Sequence, residues 1–135
     1  MWRTPVAHED FKKLRRDVKS QVEAAERRLV ESGCAAADYR LTGSELLRLC
    51  CVRLDRDYRM VIGFPRENEI AVILIGRHVQ SPVLNVYNRL YRILDVDNPA
   101  GARDKPPCCD GEGLAPVDEE RVEHIVEQLR DSVRR

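Results

Sequence analysis

The chain has 135 residues, of which 43% are hydrophobic, 34% charged and only 5% aromatic. That length fits one domain, and its core must be packed from aliphatic side chains. The 23 basic and 23 acidic side chains cancel, and no apolar run approaches the ~18 residues that a membrane-spanning helix needs.

The charge is unevenly spread. Residues 1–39 carry 8 basic and 7 acidic side chains, residues 40–94 carry 9 and 5, and residues 95–135 carry 6 and 11. The middle of the chain can face a phosphate backbone; the acidic tail cannot. The opening residues lack the apolar stretch of a secretory signal, so the expected compartment is the cytoplasm.

The first predicted element is helical. Over residues 7–31, Phe11, Leu14, Val18, Val22, Ala25 and Leu29 fall three or four apart and form one apolar stripe. Pro5 before it and Ser32-Gly33 after it suit helix boundaries. The segment is one long helix or a hairpin of two, broken near residues 16–19. After a connector with a turn signal at Thr42-Gly43, three strands follow, at 46–54, 57–64 and 69–78. Their short polar connections imply antiparallel hairpins. Residues 70–75 are almost wholly apolar, as suits a central strand, and Gly63 marks a bulge. A helix over 83–94 begins near Pro82 and carries Leu84, Tyr87, Leu90, Tyr91 and Leu94 at helical spacing. Residues 98–116 form a loop rich in Pro, Gly and Cys. A last helix over 117–133 has acidic residues in its first turn and a stripe of Val122, Ile125, Val126, Leu129 and Val133. The expected fold class is α+β: an N-terminal helix or helical hairpin packed on a small antiparallel sheet of three to four strands, plus a C-terminal helix.

Five cysteines are an odd number. In a cytoplasmic chain they read as reduced thiols rather than a disulfide framework. Adjacent strand residues point to opposite faces, which puts one of Cys50 and Cys51 in the core. The spacing of a zinc site is missing; Cys108, Cys109 and His124 come nearest to a ligand set, and neither a metal nor another cofactor is expected. His8 and His124 read as surface residues.

Three short motifs carry a family resemblance. They are the hairpin Arg53-Leu54-Asp55-Arg56-Asp57-Tyr58-Arg59, the strand end Ile75-Gly76-Arg77-His78, and the Val86-Tyr87 pair after it. Together with the helical N-terminus they resemble the RelE/ParE toxin superfamily, over roughly residues 8–92. The chain differs from that family in four ways. The segment available for an opening strand, residues 1–6, is short. The gap from His78 to Tyr87 is long. The net charge is zero, and the tail from residue 98 has no counterpart in the minimal fold.

The resemblance implies a helical hairpin on a small sheet, in a RelE-like domain spanning 1–97; composition and apolar spacing add 98–116 as a loop and 117–135 as a helix packed on the same domain. It also implies a toxin that cuts messenger RNA at the ribosome and is restrained by an antitoxin protein, with no membrane or small-molecule partner. The alternative within the superfamily is a non-catalytic, ParE-like module that binds a topoisomerase or another protein.

RNA cleavage by 2′-hydroxyl attack needs a base, an acid and cations around the phosphorane, and no metal. His78 is the candidate acid or base, because its ordinary pKa lies near neutrality. Arg59 is the candidate phosphate clamp. Tyr87 is expected to stack on a base or donate a hydrogen bond. Arg53 and Arg77 would add positive potential, with Tyr91 as a rival to Tyr87 for RNA contact. The bland alternatives are surface pairing for the arginines and core packing for at least one tyrosine. The acidic tail is expected to lie across part of the basic sheet and tune access to it.

Overall fold

The computed structural model describes residues 1–42, 46, 48–81, 83–97 and 105–134. Gly43 and Pro82, assigned above to a turn and a helix start, lie outside the described residues, as do 98–104 of the loop and the side chain of Val133. The fold is α+β. Among the described residues, five strands form one sheet: β1 (Trp2–Arg3), β2 (Tyr39–Arg40), β3 (Leu49–Arg53), β4 (Tyr58–Arg66) and β5 (Glu69–Arg77). Four α-helices pack around it: α1 (Pro5–Lys12), α2 (Arg16–Ser32), α3 (Val86–Leu94) and α4 (Glu119–Arg134). A 3-10 turn, Gly33–Ala36, follows α2.

The N-terminal helical segment is a hairpin that breaks at residues 13–15, slightly ahead of the expected point. Thr4 starts α1 by accepting a hydrogen bond from Ala7 N, and Pro5 occupies the first turn. The sheet order is β1-β5-β4-β3-β2. The three long strands pair antiparallel, as their short turns require, but β1 runs parallel to β5, so the sheet is mixed. Two-residue strands such as β1 and β2 are too short to show a sequence period.

β1 covers only Ala71 and Val72 of β5. Farther along, α1 takes over that edge. Thr4 Oγ1 donates to the Ile73 carbonyl at 2.6 Å, and Asp10 Oδ2 accepts from Ile75 N at 3.0 Å. The edge groups are thereby satisfied by side chains rather than left as a template for another strand.

Among the described residues, both faces of the sheet are covered. On one side, Leu49, Cys51, Val61, Ala71 and Leu74 meet Val86, Leu90 and Leu94 of α3 and Val122, Ile125 and Leu129 of α4. On the other, Cys50, Val52, Met60, Ile62 and Val72 meet Val22, Ala25 and Leu29 of α2. Both Cys50 and Cys51 are therefore core, one to each layer. An extra residue, Ile73, enters β5 between the pairs Val61–Leu74 and Ile62–Val72, and it joins Leu74 on the α3 side.

Two glycines allow this close stacking. A Cβ on Gly63 would sit 3.0 Å from Val122 Cγ2, and one on Gly76 would sit 3.1 Å from Val86 Cβ. α4 approaches the end of β4, where Arg66 pairs with Glu119 at 2.8 Å and with Glu69 at 2.5 Å. The acidic helix thus meets the sheet at the opposite end of β4 from Arg59.

The cysteines are not all thiols. Cys34 is bonded to Cys109 and Cys50 to Cys108, which leaves Cys51 free and buried. The expectation of reduced thiols is corrected by long-range packing that the compartment argument did not consider. Among the described residues no group of three or more His, Cys, Asp or Glu side chains could hold a metal ion. No described helix is long and apolar enough to cross a membrane.

Candidate anion-binding site

The β3–β4 hairpin builds one wall of the candidate site. Asp55 Oδ1 accepts from Asp57 N and Tyr58 N, closing the turn. The register then sets Arg53 directly opposite Arg59, and Arg59 opposite Gly76 of β5. Directly paired residues project to the same face, so two guanidinium groups share the α3 side of the sheet, where like charges repel unless an anion or other acceptors intervene.

Arg59 has found acceptors at home. Its Nη1 donates to the carbonyls of Asp55 at 2.8 Å, Tyr58 at 2.9 Å and Arg56 at 3.3 Å. It braces the turn instead of standing free as a phosphate clamp. Arg53 is exposed and forms no ion pair among the described residues; its guanidinium carbon lies 5.4 Å from the centre of the Tyr39 ring. The Arg53 amide donates to Asp38 Oδ2 at 2.6 Å, so a carboxylate stands beside this residue's backbone.

Behind the two arginines lies a chain of weak acids. The hydroxyls of Tyr39 and Tyr87 share a hydrogen bond of 2.5 Å, and Cys51 Sγ lies 3.0 Å from the Tyr87 hydroxyl. Burial pushes both phenols and the thiol up from their ordinary values. For each, desolvation is the largest cause. All three therefore hold their protons at neutral pH. Tyr87 is set at the start of α3 by Asn85, whose side chain accepts from Tyr87 N and Asn88 N.

His78 follows β5. Its amide donates to the Asp57 carbonyl, prolonging the β4–β5 ladder past the last strand residue. Its ring meets the Tyr87 ring edge-on, with centroids 5.3 Å apart and planes at 78°, and the residue is exposed. Contacts thus run from the imidazole through Tyr87 and Tyr39 to Arg53.

Of the residues singled out from sequence, His78, Tyr87 and Arg53 are linked in this way, and Arg59 lies on the same face. Three expectations are corrected. The Tyr87 ring is 6% exposed and Tyr91 is 6% exposed, both within the core, so neither offers a face for a base to stack on. Arg77 pairs with Tyr58, one residue out of step with the Arg53–Arg59–Gly76 row, which places it on the other face. His8 and His124 are exposed, as expected.

Sequence reasoning missed Tyr39 and Lys105. The Lys105 ammonium lies 5.4 Å from the centre of the Tyr39 ring. Tyr39 sits in a strand of two residues, and Lys105 reaches it from a segment 66 positions away; no local pattern marks either. No family model, no curated protein and no solved structure matches this chain.

Proposed function

We propose that this protein is a RelE-like toxin that cleaves messenger RNA on the ribosome without a metal, held in check by an antitoxin protein. The observation that carries this reading is the meeting of an exposed imidazole and an exposed guanidinium, those of His78 and Arg53, around one tyrosine pair. In the reaction the ribose 2′-oxygen bonds to phosphorus and the bond to the 5′-oxygen breaks. His78 takes the proton of the 2′-hydroxyl or gives one to the departing 5′-oxygen, water carrying the other transfer, and Arg53 balances charge on the phosphate oxygens. Arg59 holds the hairpin and adds positive field. Tyr87 orients the imidazole. A strand before the helices, β1, brings the chain nearer to the superfamily pattern than its sequence suggests.

Inducible expression of wild type and His78→Ala tests the reading. Wild type should arrest growth with cleaved transcripts. His78→Ala should slow cleavage by about 100-fold or more, the usual contribution of a proton-transfer group. Arrest that is unchanged in His78→Ala rejects the nuclease.

A second reading, a ParE-like protein-binding module without catalysis, draws support from two facts. Arg59 is spent on backbone carbonyls, and the sheet is covered on both sides. It requires arrest with a DNA-damage response that is indifferent to His78.

A further inference from the structure

Residues 105–110 lie outside the resemblance to the superfamily, yet two hydrogen bonds and two disulfides tie them down. Arg40 is the outermost position of the sheet on the β2 side, and its amide donates to the Pro106 carbonyl at 2.7 Å. Arg40 Nη2 donates to the Cys108 carbonyl at 2.9 Å. Cys108 is then bonded to Cys50 on β3, and Cys109 to Cys34 in the 3-10 turn. Tyr39 belongs to the layer under α3, and Cys108 to the layer under α2. The segment therefore crosses the β2 edge, anchored on one side of the sheet and delivering Lys105 to the other.

The placement has a chemical consequence. Lys105 and Arg53 both lie 5.4 Å from the same Tyr39 ring, both are exposed, and neither forms an ion pair among the described residues. Two exposed cations, each 5.4 Å from the centre of one ring, give this edge of the sheet a positive field that attracts an anion. We propose that Lys105 and Arg53 together form a phosphate-binding subsite, and that the Cys34–Cys109 and Cys50–Cys108 bridges hold it assembled, so that binding depends on the redox state of the protein. The ligand class is the phosphodiester or phosphate group, and the inference rests on the same end of the sheet as the nuclease reading.

Reduction is chemically simple. A dithiol reductant delivers two electrons and two protons to each bridge; the S–S bond breaks, two thiols form, and the dithiol closes to its own disulfide. Two equivalents convert the clip fully. What then ties the segment to the sheet edge, among the described residues, is a pair of hydrogen bonds to Arg40 and the packing of Cys108, without the covalent links that fix the approach of the lysine.

The test uses the full chain, oxidised and reduced, with two probes. A fluorescein-labelled oligoribonucleotide is followed by anisotropy across salt concentrations, and inorganic pyrophosphate is followed by calorimetry. Oxidised protein should bind both about five- to tenfold more tightly than reduced protein. In the oxidised state, Lys105→Gln should bind as weakly as reduced wild type, and its salt slope on RNA should flatten by about 0.7, the loss of one single-strand phosphate contact. In the reduced state the same substitution should change little. Should the reduced protein lose its fold by circular dichroism, the oxidised Lys105→Gln comparison decides by itself. Equal affinity of oxidised wild type and Lys105→Gln for pyrophosphate overturns the subsite. Equal affinity of folded oxidised and reduced wild type overturns the redox dependence. Pyrophosphate binding that obeys the predicted pattern, with no RNA binding in either state, leaves this inference standing and removes the nuclease.

Discussion

Burial raises the Tyr87 phenol above its ordinary value, with desolvation as the largest cause and the neighbouring Cys51 thiol next. The folded chain therefore keeps this proton at a pH where the unfolded chain has released it. The stability that the phenol supplies is complete below about pH 10, its value in an unfolded chain, and declines above that by up to about 1.4 kcal/mol per pH unit. Cys51 obeys the same sign from about pH 8.5. Removing the Tyr87 hydroxyl also strands its partners, so Tyr87→Phe should cost about 1–3 kcal/mol at pH 7. Comparison in a Cys51→Ala background leaves no thiolate to exchange with the disulfides. There, Tyr87→Phe should show a shallower alkaline decline than its parent in denaturant melts between pH 8 and 11. Parallel curves would mean that the phenol titrates normally. His78, Arg53, Arg59 and Tyr87 were legible because they sit at strand and helix ends, where short motifs survive. Their roles were less so. That the Arg59 guanidinium serves turn carbonyls, and that Tyr87 is core, depends on a hairpin and a helix docking that no spacing reports.

At the level of elements, the three antiparallel strands and the helical segments follow from apolar period and turn chemistry, and their bounds shifted by only a few residues; that the first segment is two helices rather than one does not follow from its stripe. What escaped was pairing. β1 and β2 have two residues each and are defined by what they lie against, the outer edges of β5 and β3. That the central strand is covered on both faces follows from its apolar run, but which helix covers which face was hidden for a related reason: a helix stripe shows that a face must be buried, and not which layer buries it. α3 packs through Val86, Leu90 and Leu94, and its start comes very close to the sheet. Its Val86 meets Gly76 where a Cβ would sit 3.1 Å from both Val86 Cβ and Cγ2, and a β-branched side chain at a helix start has little freedom to swing aside. Gly76→Ala should therefore destabilise the protein by about 1–3 kcal/mol through overpacking. It should also pull the Tyr87 ring from His78 and, on the proposed nuclease reading, weaken RNA cleavage beyond the loss of folded protein. Val86→Ala added to Gly76→Ala should recover part of both effects. A Gly76→Ala protein with wild-type melting and cleavage would show that α3 rides on the sheet more loosely than the contact implies.

For the molecule as a whole, the two bridges are nested, and this shapes how they share the stabilisation. Cys34–Cys109 spans 75 residues and Cys50–Cys108 spans 58. With one bridge intact, the other closes only the residual loop of about 17 residues, worth about 3 kcal/mol in the chain-entropy treatment, whereas the first to form closes a loop worth about 4 kcal/mol. Replacing either pair alone should thus cost about 3 kcal/mol, and replacing both about 7 kcal/mol. The inner pair should cost somewhat more than the outer, because Cys50 and Cys108 are buried at 0% and 2% exposure, and losing that bridge also disturbs packing under α2. Guanidinium midpoints of Cys34→Ser/Cys109→Ser, Cys50→Ala/Cys108→Ala and the fourfold variant give the comparison. Thiol counts in denaturant fix the starting state: one per oxidised chain, from Cys51, and five after reduction. If the oxidised and fully reduced chains melted together, the bridges would add nothing to stability. A single-pair loss matching the fourfold loss would mean instead that the two bridges act as one clamp, and that opening either one already forfeits the stabilisation of both.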